Sequence, residues 1–151
     1  MITETGNSIK QYVVFQLENE SYGVDIQSVQ GIERMKDITR VPKAPDCIQG
    51  VMNLRGEIIP VMSLRAKFEL EHKEYDDNTR IIIIRIEDSL IGLVVDEVRE
   101  VLELNSEEIE NVQSIQGKVN LNYIYGVGKI KKGTMVITLL NLENLIEQTL
   151  I

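Results

Sequence analysis

Few side chains in this sequence could carry chemistry. His72 is the one histidine and Cys47 the one thiol. A catalytic base has to be held in an ordered pocket within reach of the proton it moves. His72 instead sits in the charged run Glu69-x-Glu71-His72-Lys73-Glu74, which reads as solvated loop. Cys47 follows Pro45-Asp46 and precedes Ile48, with no adjacent base or cation to activate it, so it reads as a small, half-buried apolar residue. A lone cysteine excludes an intrachain disulfide and any multi-cysteine metal site. The carboxylate pairs Asp76-Asp77 and Glu107-Glu108 lie in polar stretches and fit solvated surface better than acid–base work. Asp76-Asp77-Asn78 lacks the glycine and distal glutamate of a calcium loop. Gly126-x-Gly128 runs on into Lys129-Ile130 with strand character, so it presents no helix N-terminus to a phosphate. No tryptophan and 5% aromatics also argue against a base- or sugar-stacking platform. The expectation is a chain with no catalytic, cofactor-binding or metal-binding residue.

Recognition of protein surface remains. Arg55 is the best candidate, at the tip of a hairpin in which Gly50 to Leu54 runs out, Arg55-Gly56 turns, and Glu57 to Met62 returns. A two-residue turn gives its side chain little cover, and a guanidinium offers five donors in a fixed fork. The plainer reading is a solvated turn arginine. Pro60 cannot donate to a ladder, which predicts an edge position or a bulge in the return strand. An edge bearing Ile58, Ile59 and Val61 needs cover, from the chain's own core or from a partner.

The elements that would position this hairpin are mostly strands. Tyr12 to Leu17, a turn at Glu18-Asn19-Glu20, and Ser21 to Val24 form a first hairpin. Asp25 can cap a short helix sharing Ile26, Val29 and Ile32 on one face. After the polar middle, residues 69–79, Arg80 to Ile86 and Leu90 to Val95 form another hairpin around Asp88-Ser89. Asp96 can then cap a second short helix with Val98, Val101 and Leu102. Residues 103–122 read as less regular, and Tyr123–Lys131 and Thr134–Leu139 as strands around a Lys132-Gly133 turn. Asn141 caps a final amphipathic helix with Leu142, Leu145, Ile146 and Leu150.

The two halves are alike. Residues 12–32 fall on 81–101 without a gap, so that Glu18 meets Glu87, Gly23 meets Gly92 and Val29 meets Val98. Ile48-x-Gly50-Val51 recurs as Ile124-x-Gly126-Val127, each ahead of a basic-Gly turn. We read this as an internal duplication. In Ile81-Ile82-Ile83-Ile84 both strand faces are apolar, so both must be covered. The net charge of −8 argues against nucleic acid and against electrostatic docking on a membrane. The longest apolar run is far too short to span a bilayer, and the polar start carries no signal-peptide pattern, so the expectation is a cytoplasmic protein.

The run Pro42-x-x-Pro45-x-x-Ile48-x-Gly50-Val51-x-Asn53-Leu54-Arg55-Gly56-x-Ile58-Ile59-Pro60-Val61-x-x-Leu64 resembles the signature of the CheW family, the bacterial chemotaxis coupling proteins. Tyr22-Gly23-Val24-Asp25-Ile26-x-x-Val29 and Gly92-Leu93-Val94-Val95-Asp96-x-Val98 agree with it, and the likeness runs from about residue 11 to 148. The resemblance implies a mainly β fold of two small five-stranded barrels sharing a hydrophobic core, with short helices and a C-terminal amphipathic helix. It implies residues 1–9 as a flexible tail and 10–150 as one domain: a first barrel at about 10–75, a second at about 79–140, and a helix at about 141–150. It implies no enzymatic activity and no cofactor. The implied role is an adaptor coupling the cytoplasmic tips of chemoreceptors to the histidine kinase CheA through its regulatory domain, and building clustered arrays. A CheW-like module of a non-chemotaxis two-component pathway is the alternative, and a small-ligand barrel or enzyme a more distant one. Carried over by position, Arg55, Gly50 and Val29 are partner contacts, and Val98 and Val101 are duplicate positions in the second half, placed on a groove for the receptor tip. The sequence departs at Gly31, where many members carry a glutamate able to pair with the hairpin arginine; Glu33 is the candidate substitute.

Overall fold

A computed structural model describes residues 9–110, 121–130 and 135–150. Of the expected tail at 1–9, residues 1–8 lie outside the described residues, as does the Lys132-Gly133 turn, while Ile9 already belongs to the first strand. The chain divides into two compact units, the residues up to Gln27 with those from Arg99 onward, and Ser28–Val98.

Runs of β-branched and aromatic residues set the strands. β1 (Ile9–Leu17) and β2 (Glu20–Asp25) pair antiparallel, Val14 opposite Gly23. The tight turn between them holds Glu18 at φ 55°. β3 (Val29–Arg34), β4 (Ile48–Leu54) and β5 (Glu57–Ser63) follow, then the one-turn helix α1 (Leu64–Lys67), capped by Ser63 Oγ accepting from Ala66 N. β6 (Arg80–Ile86) and β7 (Ser89–Val95) form the hairpin expected from the repeat, with Glu87 at φ 54°, matching Glu18. β8 (Glu97–Asn105), β9 (Ile109–Glu110), β10 (Ile124–Ile130), β11 (Met135–Leu140) and α2 (Leu142–Leu150) complete the chain. α2 buries Leu142, Leu145 and Ile146, and Asn141 Oδ1 caps it by accepting from Asn144 N.

The two predicted short helices are corrected. Ile26–Ser28 makes a single 3-10 turn and the chain then extends as β3; after Asp96 it extends at once as β8. The i, i+3 spacing of Ile26, Val29 and Ile32 has a helical period, but β-branched residues and Gly31 are poor helix formers. The open edge of β6 offers them a ladder instead.

The strand order in one sheet is β8-β1-β2-β11-β10-β9, and in the other β3-β6-β7-β5-β4. These orders match place for place under the sequence repeat, with the two-residue β9 as an addition. Neither sheet comes from one sequence half, however, so the division at 10–75 and 79–140 is not how the strands are shared. The hairpin β1–β2 lies with β8, β10 and β11 of the second half, and β6–β7 with β3, β4 and β5 of the first. Both sheets curl without a continuous closing ladder. β8 and β9, the two edges of the first sheet, belong to one run interrupted only by the turn Ser106–Glu108. In the second, Thr39 beyond β3 bridges to β4: Thr39 N donates to Val51 O and Val51 N to Thr39 O, both at 2.8 Å. The repeat is kept here too, since Glu110 faces Val127 as Thr39 faces Val51.

That bridge also accounts for Pro60. β5 is not an edge; it pairs with β4 and with β7. Val51 turns its N–H and C=O to Thr39, so Val51–Pro60 is a non-hydrogen-bonded pair and the proline withholds nothing from β4. The ladder to β7 begins only at Val61.

Each unit has its own apolar cluster: Tyr12, Val14, Leu104, Ile137 and Leu139 in one, and Met52, Leu54, Ile59, Val61, Ile81, Ile83 and Val94 in the other. Ile81 to Ile84 are all buried, so both faces of β6 are covered.

Candidate protein-docking site

The β4–β5 hairpin is built for a rigid, exposed tip. Arg55 and Gly56 have φ of 52° and 88°, the positive pair that a two-residue turn between twisted strands demands. Asn53 Oδ1 accepts from Gly56 N at 2.9 Å and Leu54 is buried, which pins the turn from both sides. The Asn-Leu-Arg-Gly run is therefore a local folding unit that projects one side chain from its tip. The Arg55 side chain is 79% exposed.

Glu33 on β3 reaches that tip. Arg55 Nη2 lies 3.6 Å from Glu33 Oε2, and Lys36 Nζ lies 3.7 Å from the other carboxylate oxygen. A Cβ at Gly31 would sit 3.8 Å from Glu33 Oε2, with nothing else within 4 Å. Glu33 thus places its carboxylate beside the space that a side chain at position 31 would enter. It supplies the acid that Gly31 cannot.

Gly50 is buried and has φ +147°, and a Cβ there would stand 2.1 Å from Thr39 O. Its part in the site is to let residues 39–40 close against β4. Gly126, its repeat, gives the same approach to β9, where a Cβ would meet Ile109 Cγ2 at 2.8 Å and Glu110 O at 2.9 Å. Val29 opens β3 and is half-buried; it belongs to a strand, not to the expected helix. Val98 and Val101 lie on β8, the former half-buried and the latter 48% exposed. β3 and β8 hold equivalent places, each flanking the first strand of a hairpin.

Reasoning from sequence left Ile58 between core and partner contact. It is 60% exposed on β5, opposite Asn53 and next to the Arg55 turn, while Ile59 and Val61 are buried. The alternation Ile58-out, Ile59-in was the available signal.

Groups with possible chemistry have structural employment. Asp76 Oδ1 accepts from the backbone N–H of Asn78, which does most to hold its carboxyl below the usual range, with Lys73 at 3.5 Å and the Thr79 hydroxyl helping. Glu108 closes a capping box with Asn105. His72 is exposed beside Glu74. Arg65 makes a bidentate pair with Asp96, both contacts at 2.7 Å, and donates to Glu71 O at 2.7 Å, tying the polar middle loop to the link between β7 and β8. Sequence reading missed that clamp, since 31 residues separate the partners. Burial pushes the Tyr12 phenol up to about 12, with Tyr125 and Asp25 adding to it, and raises Tyr22 further, with Glu20 adding. Among the described residues no three His, Cys, Asp or Glu side chains gather as a metal site. No helix there is long and apolar enough to cross a membrane.

Comparison with known proteins agrees with the hairpin signature. The family profile described as CheW-like domain matches residues 11–150. The chain is 36% identical over 137 residues to a chemotaxis protein CheW of Klebsiella aerogenes, covering 91% of this chain and 81% of that one. It is 30% identical over 145 residues to the Helicobacter pylori protein of the same name, covering 96% and 86%. The crystal structure of the scaffolding protein TtCheW from Thermoanaerobacter tengcongensis superposes with a TM-score of 0.85 at 34% identity, covering 93% of this chain and 94% of that one. By its matching profile, its relatives and its fold, this chain belongs to the CheW-like domain family.

Proposed function

We propose that this chain is a non-catalytic adaptor of chemotaxis signalling. It couples the cytoplasmic tips of chemoreceptors to the histidine kinase CheA and is recruited with them into membrane-associated arrays from the cytoplasm. The observation carrying this reading is the Arg55 tip: an exposed guanidinium on a stiff turn, oriented by Glu33, beside the exposed Ile58. An oriented arginine next to an apolar contact is the usual make-up of an interface anchor. Gly50 acts indirectly by holding the hairpin in place. Val29, Val98 and Val101 are proposed as apolar contacts on the equivalent strands β3 and β8, with Val98 and Val101 lining the groove that takes the receptor tip.

Reconstitution tests this. Receptor fragment and CheA are combined with and without the purified chain, and kinase activity and co-sedimentation are measured. Activity that depends on the chain supports coupling; a chain that neither sediments with the two nor alters kinase activity rejects it.

A further inference from the structure

On β3, Arg34 follows Glu33 and therefore faces the opposite side of the strand. In the β3–β6 ladder Arg34 stands directly across from Arg80. Residues so opposed share one face, with their Cβ atoms about 5 Å apart, and like charges there repel. Arg80 Nη1 donates to the backbone carbonyls of Asp77 and Thr79, at 2.7 and 2.8 Å. Among the described residues neither arginine has a carboxylate within ion-pair distance. Ile32 lies two residues before Arg34 on the same face and is 43% exposed. Two opposed cations without counter-charge, beside a bare isoleucine, stand out in a chain of net charge −8.

We propose that Arg34, Arg80 and Ile32 form a second docking site, for an acidic protein segment that carries an apolar residue. A carboxylate between the two guanidiniums turns mutual repulsion into attraction, and the planar forks suit it. Ile32 receives the apolar side chain. An anionic membrane is the poorer occupant, because electrostatic anchoring there takes roughly four or more clustered basic residues, and the net charge of −8 opposes it. The site does not depend on the hairpin reading, since Arg34 and Glu33 serve opposite faces of β3. It does share its face with Val29, which stands opposite Ile84 in the same ladder, and to that extent it rests on the β3 contact proposed above.

The full-length chain, isotopically labelled, is titrated with an acetylated Glu-Glu-Leu-Glu-Glu peptide and, in parallel, with inorganic phosphate and with phosphatidylserine vesicles. The expected result is peptide-induced shifts at the amides of Ile32, Arg34 and Arg80. Binding should be at least about tenfold weaker in the folded Arg34→Glu/Arg80→Gln variant, as expected for losing charged hydrogen bonds. Arg34→Glu alone should melt no lower than the parent, because it places a counter-charge opposite Arg80. The proposal is overturned by peptide binding that survives the double substitution, by shifts arising with phosphate or vesicles but not with the peptide, or by a lowered melting temperature for Arg34→Glu.

Discussion

Arg55 and Glu33 stand 3.6 Å apart across the gap between the edge strands β3 and β4, one residue nearly bare and the other largely covered. In water such a pair is worth only about 0.2–1 kcal/mol, so its consequence is orientation more than stability. Arg55→Glu should leave the melting transition within about 0.5 kcal/mol of the parent. Loss of an anchor of this kind should weaken partner binding by about 2 kcal/mol or more. Combining it with Glu33→Arg should restore part of that loss. Co-sedimentation with receptors and kinase is the measurement, and unchanged binding by Arg55→Glu removes the residue from the interface.

Gly50→Ala should be far more damaging than its size suggests. Its backbone has φ +147°, and the new methyl would overlap Thr39 O. We expect a loss of about 3 kcal/mol, from strain and from opening the Thr39–Val51 bridge. Chemical denaturation reads the loss, and amide exchange at Thr39 and Val51 tells whether the bridge has opened.

Ile83→Asp should prevent folding. Ile83 is 1% exposed within the cluster of Met52, Ile59 and Val61, and an unpaired carboxylate there costs about 4 kcal/mol or more. A soluble variant with a normal melting curve would show that β6 is not central.

Much of this was legible in the residues. The hairpins showed in alternation and turn residues, and the repeat foretold the matching positive φ at Glu18 and Glu87. The Arg55 tip could be named because its turn chemistry is local. Partners far apart in sequence could not be seen: the Arg65–Asp96 clamp, the Thr39–Val51 bridge and the sharing of hairpins between sheets all depend on the tertiary path. The short helices were misread for a related reason, since a ladder formed with a distant strand outweighed the local spacing of Val29 and Val98.

Arg65→Ala should release the loop 69–79. Its guanidinium pairs with Asp96 with both side chains mostly covered, at 14% and 13% exposed. Breaking such a pair costs about 3 kcal/mol when fully buried, and somewhat less at this exposure. Limited trypsin digestion should cut at Lys73 faster than in the parent, and an unchanged cleavage rate argues that the loop is held by other contacts.

Alkaline pH should unfold the chain through its tyrosines. Tyr12 is raised to about 12 and Tyr22 is raised as well, both chiefly by burial, so the folded state favours the neutral phenol. Their contribution is therefore complete below pH 10, where unfolded tyrosine titrates, and falls as pH climbs from 10 through about 12. Melting temperatures measured from pH 8 to 11.5 should be level at first and then drop. Tyr12→Phe should soften the drop, and an identical profile in that variant assigns the effect elsewhere.

The sharing of hairpins sets a timetable for synthesis. Every strand of the sheet β3-β6-β7-β5-β4 has left the ribosome once Val95 emerges, while β1–β2, made first, has no complete sheet to join until Leu140 follows. The earliest hairpin of the nascent chain is thus the last to be housed, and meanwhile it exposes Val13, Val14 and Phe15. Aggregation in the cell should begin there.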